Sequence, residues 1–173
     1  MQSIKRFILT FLVMAAPLSA KEPDSKSFAR TSAYEMKPGD VVRIDYTSRG
    51  CFHWAHHELV LTRTEKGVSL TGANLQLPAD EKTNKPVEGE KKKWRSVDLT
   101  EDQLARIDRT FEYLRNCGRG GCTTVNNITL TQTRAGKTIA SESMVDATCH
   151  LGSDGKTISF AELIALISPK TDP

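Results

Sequence analysis

Between Val42 and Thr47 the side chains alternate, with Val42, Ile44 and Tyr46 apolar or aromatic and Arg43, Asp45 and Thr47 polar. That is the period of two of a strand with one buried face. Pro38, Gly39 and Asp40 supply a turn signal ahead of it, and Arg49 and Gly50 close it. Glu58 to Thr64 and Val68 to Thr71, separated by Glu65, Lys66 and Gly67, predict a hairpin. Trp94 to Leu99 predicts another short strand. A second hairpin is expected from Val125–Thr133 and Thr138–Val145, which flank Arg134, Ala135, Gly136 and Lys137.

Two stretches change period. Leu104, Ile107, Phe111 and Leu114 recur at helical spacing and form one apolar face. Thr100 followed three residues later by Gln103 is a capping box, Glu101 and Asp102 place negative charge at the positive end of the helix dipole, and Gly118 supplies a stop. Ser159 and Glu162 repeat the capping box ahead of Phe160, Leu163, Ile164 and Ile167, and Pro169 ends that shorter helix. Hairpins interrupted by helices, rather than single strands alternating with helices, predict an α+β fold. It is an antiparallel sheet of about five or six strands with two helices packed on it.

The organisation around this unit is set by composition. Met1 to Ala20 has the pattern of a secretory signal peptide, with Lys5 and Arg6 before an apolar run from Phe7 and small residues at Ser19 and Ala20. Residues 21–38 are polar and predict a flexible lead-in, residues 39–168 a single disulfide-braced domain, and residues 169–173 a tail. Ala79 to Lys93 mixes lysines, glutamates, proline and glycine, and reads as a solvated loop. The chain carries 24 Lys+Arg and 21 Asp+Glu. Removing the leader takes two basic residues and no acidic one, leaving the protein near neutral, a poor match to a nucleic-acid backbone. The expected location is periplasmic or secreted, free of the membrane after leader cleavage.

Chemistry concentrates in the cysteines and histidines. Cys51, Cys117, Cys122 and Cys149 are even in number within an exported chain, so two disulfides are expected. Three glycines between Cys117 and Cys122 favour joining that pair, with Cys51 joined to Cys149. The second pairing weighed is Cys51 with Cys122 and Cys117 with Cys149. Three of the four histidines, His53, His56 and His57, lie within five residues, and the Cys51–Cys149 link would bring His150 to them. Four converging imidazoles would suit Zn or Cu. The bland alternative is a surface loop in which Phe52 and Trp54 cover the core. His53 to His57 follows Gly50 and precedes the predicted strand, so an irregular loop is expected there.

Glycine-rich phosphate loops, a serine nucleophile elbow and the paired-histidine zinc signature are missing from the sequence. The expectation is a small exported, non-enzymatic binding or inhibitor-like protein directed at another envelope or extracellular protein. One alternative is a periplasmic transition-metal binder using His53, His56, His57 and His150. The other is a small hydrolase with His53 or His57 as base and Asp146 or Glu58 as supporting carboxylate.

Overall fold

The computed structural model describes residues 30–75, 94–117 and 120–169. The signal-peptide segment, residues 21–29 of the lead-in, the Ala79–Lys93 loop and Gly118 lie outside the described residues. The elements are β1 (Asp40–Arg49), β2 (Trp54–Thr64), β3 (Gly67–Asn74), β4 (Val97–Asp98), α1 (Glu101–Asn116), β5 (Val125–Arg134), β6 (Lys137–Asp146) and α2 (Phe160–Ile167). The six strands form one sheet in the order β4-β3-β2-β1-β5-β6, with every neighbouring pair antiparallel. The fold is α+β, and the first strand lies inside the sheet, with β2 on one side and β5 on the other. Among the described residues no helix is long and apolar enough to cross a membrane.

Strand parity divides the sheet into two unlike faces. Val42 and Ile44 of β1, Leu59 and Leu61 of β2, Val68 and Leu70 of β3, and Ile128 and Leu130 of β5 are all buried on one face. Both helices pack there, α1 contacting β6 and α2 contacting β3. Leu104, Ile107, Phe111 and Leu114 from α1 join Phe160, Leu163 and Ile167 from α2 in the same core. Gly72 of β3 lets α2 approach, because a Cβ there would lie 2.9 Å from Ile167 Cδ1 and 2.7 Å from the Glu58 carbonyl. The alternate positions, among them Arg43, Thr129, Ser141 and Ser143, face away from the helices.

Both capping boxes form. The Gln103 amide donates to Thr100 Oγ1 at 3.2 Å while Thr100 N donates to Gln103 Oε1 at 2.8 Å. Ser159 and Glu162 reproduce this exchange at α2. Each N-cap contributes about 1 kcal/mol. Thr110 is a buried hydroxyl in mid-helix that lies 3.0 Å from the Arg106 carbonyl of its own helix and also reaches a distant segment: it lies 2.8 Å from the Ile158 carbonyl and accepts from Ile158 N at 2.9 Å. It thereby ties the approach to α2 onto α1. At the β5–β6 turn both Ala135 (φ 48°) and Gly136 (φ 75°) are left-handed, the requirement of a two-residue hairpin loop matched to sheet twist.

Two expectations change here. The folded region begins before Pro38, since Thr31, Ala33 and Met36 are buried. Asp108 of α1 accepts from Ser32 Oγ at 2.7 Å and from the Ala33 and Tyr34 amides, while Arg115 bridges Glu142 at 2.7 Å and the Thr31 carbonyl at 2.6 Å. Polarity there marks anchoring to α1 rather than a flexible lead-in. Similarly, the segment after His53 is not an irregular loop: β2 begins at Trp54 and continues unbroken through both later histidines.

Candidate functional site

Because Trp54 to His57 is a strand, consecutive side chains point to opposite faces. Ala55 and His57 share the face of buried Leu59, whereas Trp54, His56 and Glu58 share the open face. His57 lies across from Tyr46 in register. Its ring stacks on that tyrosine at 6.3 Å and tilts against Trp94 at 5.3 Å, while Tyr46 stacks on Phe160 of α2 at 4.6 Å. Burial lowers the His57 pKa, assisted by the like charge available to His56, which favours the neutral ring. Its Nδ1 is buried and has no hydrogen-bond partner among the described residues.

The other histidines have different partners, and of them His53 alone shares the cleft beside His57. His56 Nε2 is 3.2 Å from Asp45 Oδ1 on the open face. His53 Nε2 is 3.1 Å from Ser48 Oγ. His150 is exposed and follows Cys149, with its backbone carbonyl accepting from Ser153. The four imidazoles are not brought together. Among the described residues no group of three or more His, Cys, Asp and Glu side chains is arranged to hold a metal ion.

Both disulfide pairings weighed from the sequence are corrected. Cys122 is joined to Cys149, with Cα atoms 5.6 Å apart, while Cys51 and Cys117 are free thiols. The Cys117 thiol sits at the end of α1 against the Leu114 and Val145 carbonyls. Chain pairing instead carries Cys122 to the end of β6, where its amide donates to the Ala147 carbonyl at 3.0 Å. Gly120 is required for this close passage, since a Cβ there would collide with Ala147 O and Thr148 Cα. The glycines thus serve a crossing against residues 147–148 rather than a bend between Cys117 and Cys122. Without a Cys51–Cys149 link, nothing draws His150 to the other histidines.

The carboxylates considered for a hydrolase are also engaged elsewhere. Glu58 takes Arg43 Nη1 at 2.5 Å on the open face, opposite to His57. Buried Asp146 accepts from Thr148 N at 2.9 Å, Thr148 Oγ1 at 2.6 Å and Asn126 Nδ2 at 3.4 Å. Neither carboxylate orients a histidine. No protein-family model, curated protein or solved structure matches the chain.

Two surface features remain. Among the described residues the exposed large apolar side chains are Tyr34, Phe52, Trp54, Val125 and Val145. All but Tyr34 gather at one end of the open face. Trp54, Arg49 and Val125 form one row across β2, β1 and β5, and Val145 of β6 pairs with Asn127, two residues along β5 from Val125. Phe52, fully exposed, projects from the adjoining β1–β2 loop. The Cys122–Cys149 bond closes the same end of the sheet. The second feature is a cleft of about 430 Å³ on the other face, between α2 and the strands, lined by Tyr46, Ser48, His53, Ala55 and His57 opposite Ala161, Ile164, Ala165 and Ser168. The sequence pointed to the histidines in it but not to the small residues of α2 that leave the space open.

Proposed function

We propose that the chain is a small exported, non-enzymatic binding protein that recognises another protein through the end of its open sheet face. The observation that carries this is the gathering of Phe52, Trp54, Val125 and Val145 around Arg49 at one end of the sheet. Isolated exposed apolar residues are ordinary, but a contiguous group containing tryptophan and phenylalanine with an arginine has the composition of an interface centre. Arg49 makes no ion pair among the described residues, leaving its guanidinium free to meet a partner carboxylate or carbonyl. The Cys122–Cys149 bond is compatible with an oxidising periplasmic or extracellular setting.

Site-specific photo-crosslinking tests this. A photoreactive residue at position 52 or 145, expressed in the native host, is expected to give one discrete adduct in the envelope or secreted fraction. The same residue at position 101, at the start of α1, should give none. Equal labelling from all three positions, or none from 52 and 145, would contradict the proposal.

A further inference from the structure

Arg49 is placed so that a partner covering the apolar end must cover it too. In the register it lies directly opposite Trp54 of β2 on one side and Val125 of β5 on the other, and all three are exposed on the open face. Neighbouring strands are about 4.8 Å apart, so the two apolar side chains flank Arg49 across roughly 10 Å. Arg49, Phe52 and Trp54 also line an open concavity of about 620 Å³ at the β1–β2 connection. A surface laid over Trp54 and Val125 therefore removes water from Arg49 as well.

Charge decides what such a surface must contain. Elsewhere on this face Arg43 holds Glu58 at 2.5 Å, and His56 Nε2 is 3.2 Å from Asp45 Oδ1. The Arg49 side chain has neither an ion pair nor a hydrogen bond among the described residues. Covering a guanidinium with apolar groups alone leaves an unpaired charge away from water, which strongly opposes binding. A carbonyl oxygen offers an acceptor without a counter-charge. A carboxylate offers both, and it can take two guanidinium N–H groups at once.

We propose that the partner presents an Asp or Glu side chain flanked on both sides by apolar side chains. The carboxylate meets Arg49, one apolar group meets Trp54 and Phe52, and the other meets Val125 and Val145. This rests on the partner-binding reading of the same surface and adds the chemistry of the segment it recognises.

The probe is the peptide acetyl-Phe-Gly-Glu-Gly-Phe-amide, whose three side chains fall on one side when it is extended. Titrated into the full chain, it should saturably shift the NMR signals of the Arg49 Nε–H, the Trp54 indole N–H and the Val125 and Val145 methyls, with a dissociation constant on the order of millimolar. The same peptide with Gln in place of Glu should bind about tenfold more weakly, and with Lys it should not bind. Arg49→Gln should bring the glutamate and glutamine peptides within about twofold of each other. Arg49→Glu should reverse the preference, so that the lysine peptide binds about tenfold more tightly than the glutamate peptide. Both substitutions are on the surface and should leave the fold intact. Equal binding of the glutamate and glutamine peptides by the wild type, or a glutamate preference that survives Arg49→Glu, would overturn this inference and leave the partner-binding reading standing. Absence of saturable shifts with all three peptides up to about 20 mM would also overturn it, while that reading is judged separately by the adducts at positions 52 and 145.

Discussion

The two faces of one sheet are built from the same strands and do different things. On the covered face Val42, Ile44, Leu59, Leu61, Val68, Leu70, Ile128 and Leu130 of β1, β2, β3 and β5 are buried in the core shared with α1 and α2. On the open face most intervening positions are polar or charged, among them Arg43, Glu58, Asp45, His56, Thr129 and Ser143, until the far end, where Trp54, Val125 and Val145 are exposed. His56 and His57 show the division within two residues. His57 lies in an aromatic stack with its pKa lowered by burial, while His56 faces Asp45 on the open side. Residue type does not decide the role of either one; the face to which the strand turns it does.

The largest expected contrast comes from truncating one residue of each face. Phe111→Ala should cost about 3–5 kcal/mol in urea unfolding, because it opens a cavity in the shared core of both helices. Thr129→Ala, on the open face, should stay within about 0.5 kcal/mol. Similar losses for the two would end the distinction between the faces. Next is the bond that braces the apolar end. Cys122→Ser removes closure of a loop of sequence separation 27, which should lower stability by about 3 kcal/mol. Amide exchange in residues 120–125 and 146–150 should accelerate before that in the α1 core, and uniform acceleration would show that the bond braces the whole sheet equally.

A smaller effect belongs to the covered face at the opposite end of β1. Buried Asp40 receives Arg134 Nε at 2.6 Å, Gln132 Nε2 at 3.2 Å and Lys37 N at 2.9 Å. The hydrogen bond from Arg134 leads in holding its pKa down at about 2, against an ordinary 3.8. Because the folded-state value is depressed, the stability it contributes is complete above about pH 4 and is lost as the pH falls through about 2. Asp40→Asn should cost about 1–3 kcal/mol at neutral pH and flatten the acid limb of the unfolding profile over that window. An unchanged limb would mean that Asp40 is not a net contributor.

The parts of this architecture legible in the sequence are those with local causes. A hydroxyl three residues before Gln103 or Glu162 brings both capping groups within reach by helix geometry alone, and alternation marks Val42 to Tyr46 because only one face there is apolar. The histidine segment hid its strand because both faces are partly polar: His53 and His57 fall on the same side as Ala55, and His56 falls beside Trp54. Other features depend on distant pairing. Nothing near Cys122 indicates that residues 147–149 run beside it, and nothing near Thr31 indicates that Arg115 and Glu142 will receive it. The cleft was equally hidden, since it is defined by what Ala161 and Ala165 lack.

The central claim is that the apolar end of the open face serves recognition and not folding. Its most direct test measures capture of the cross-linked partner and the thermal unfolding midpoint together for the double variant Phe52→Ala/Trp54→Ala. The expected result is loss of capture with a midpoint within about 2 °C of the wild type, as befits surface substitutions. Retained capture, or a midpoint that falls as far as that of Phe111→Ala, would contradict it.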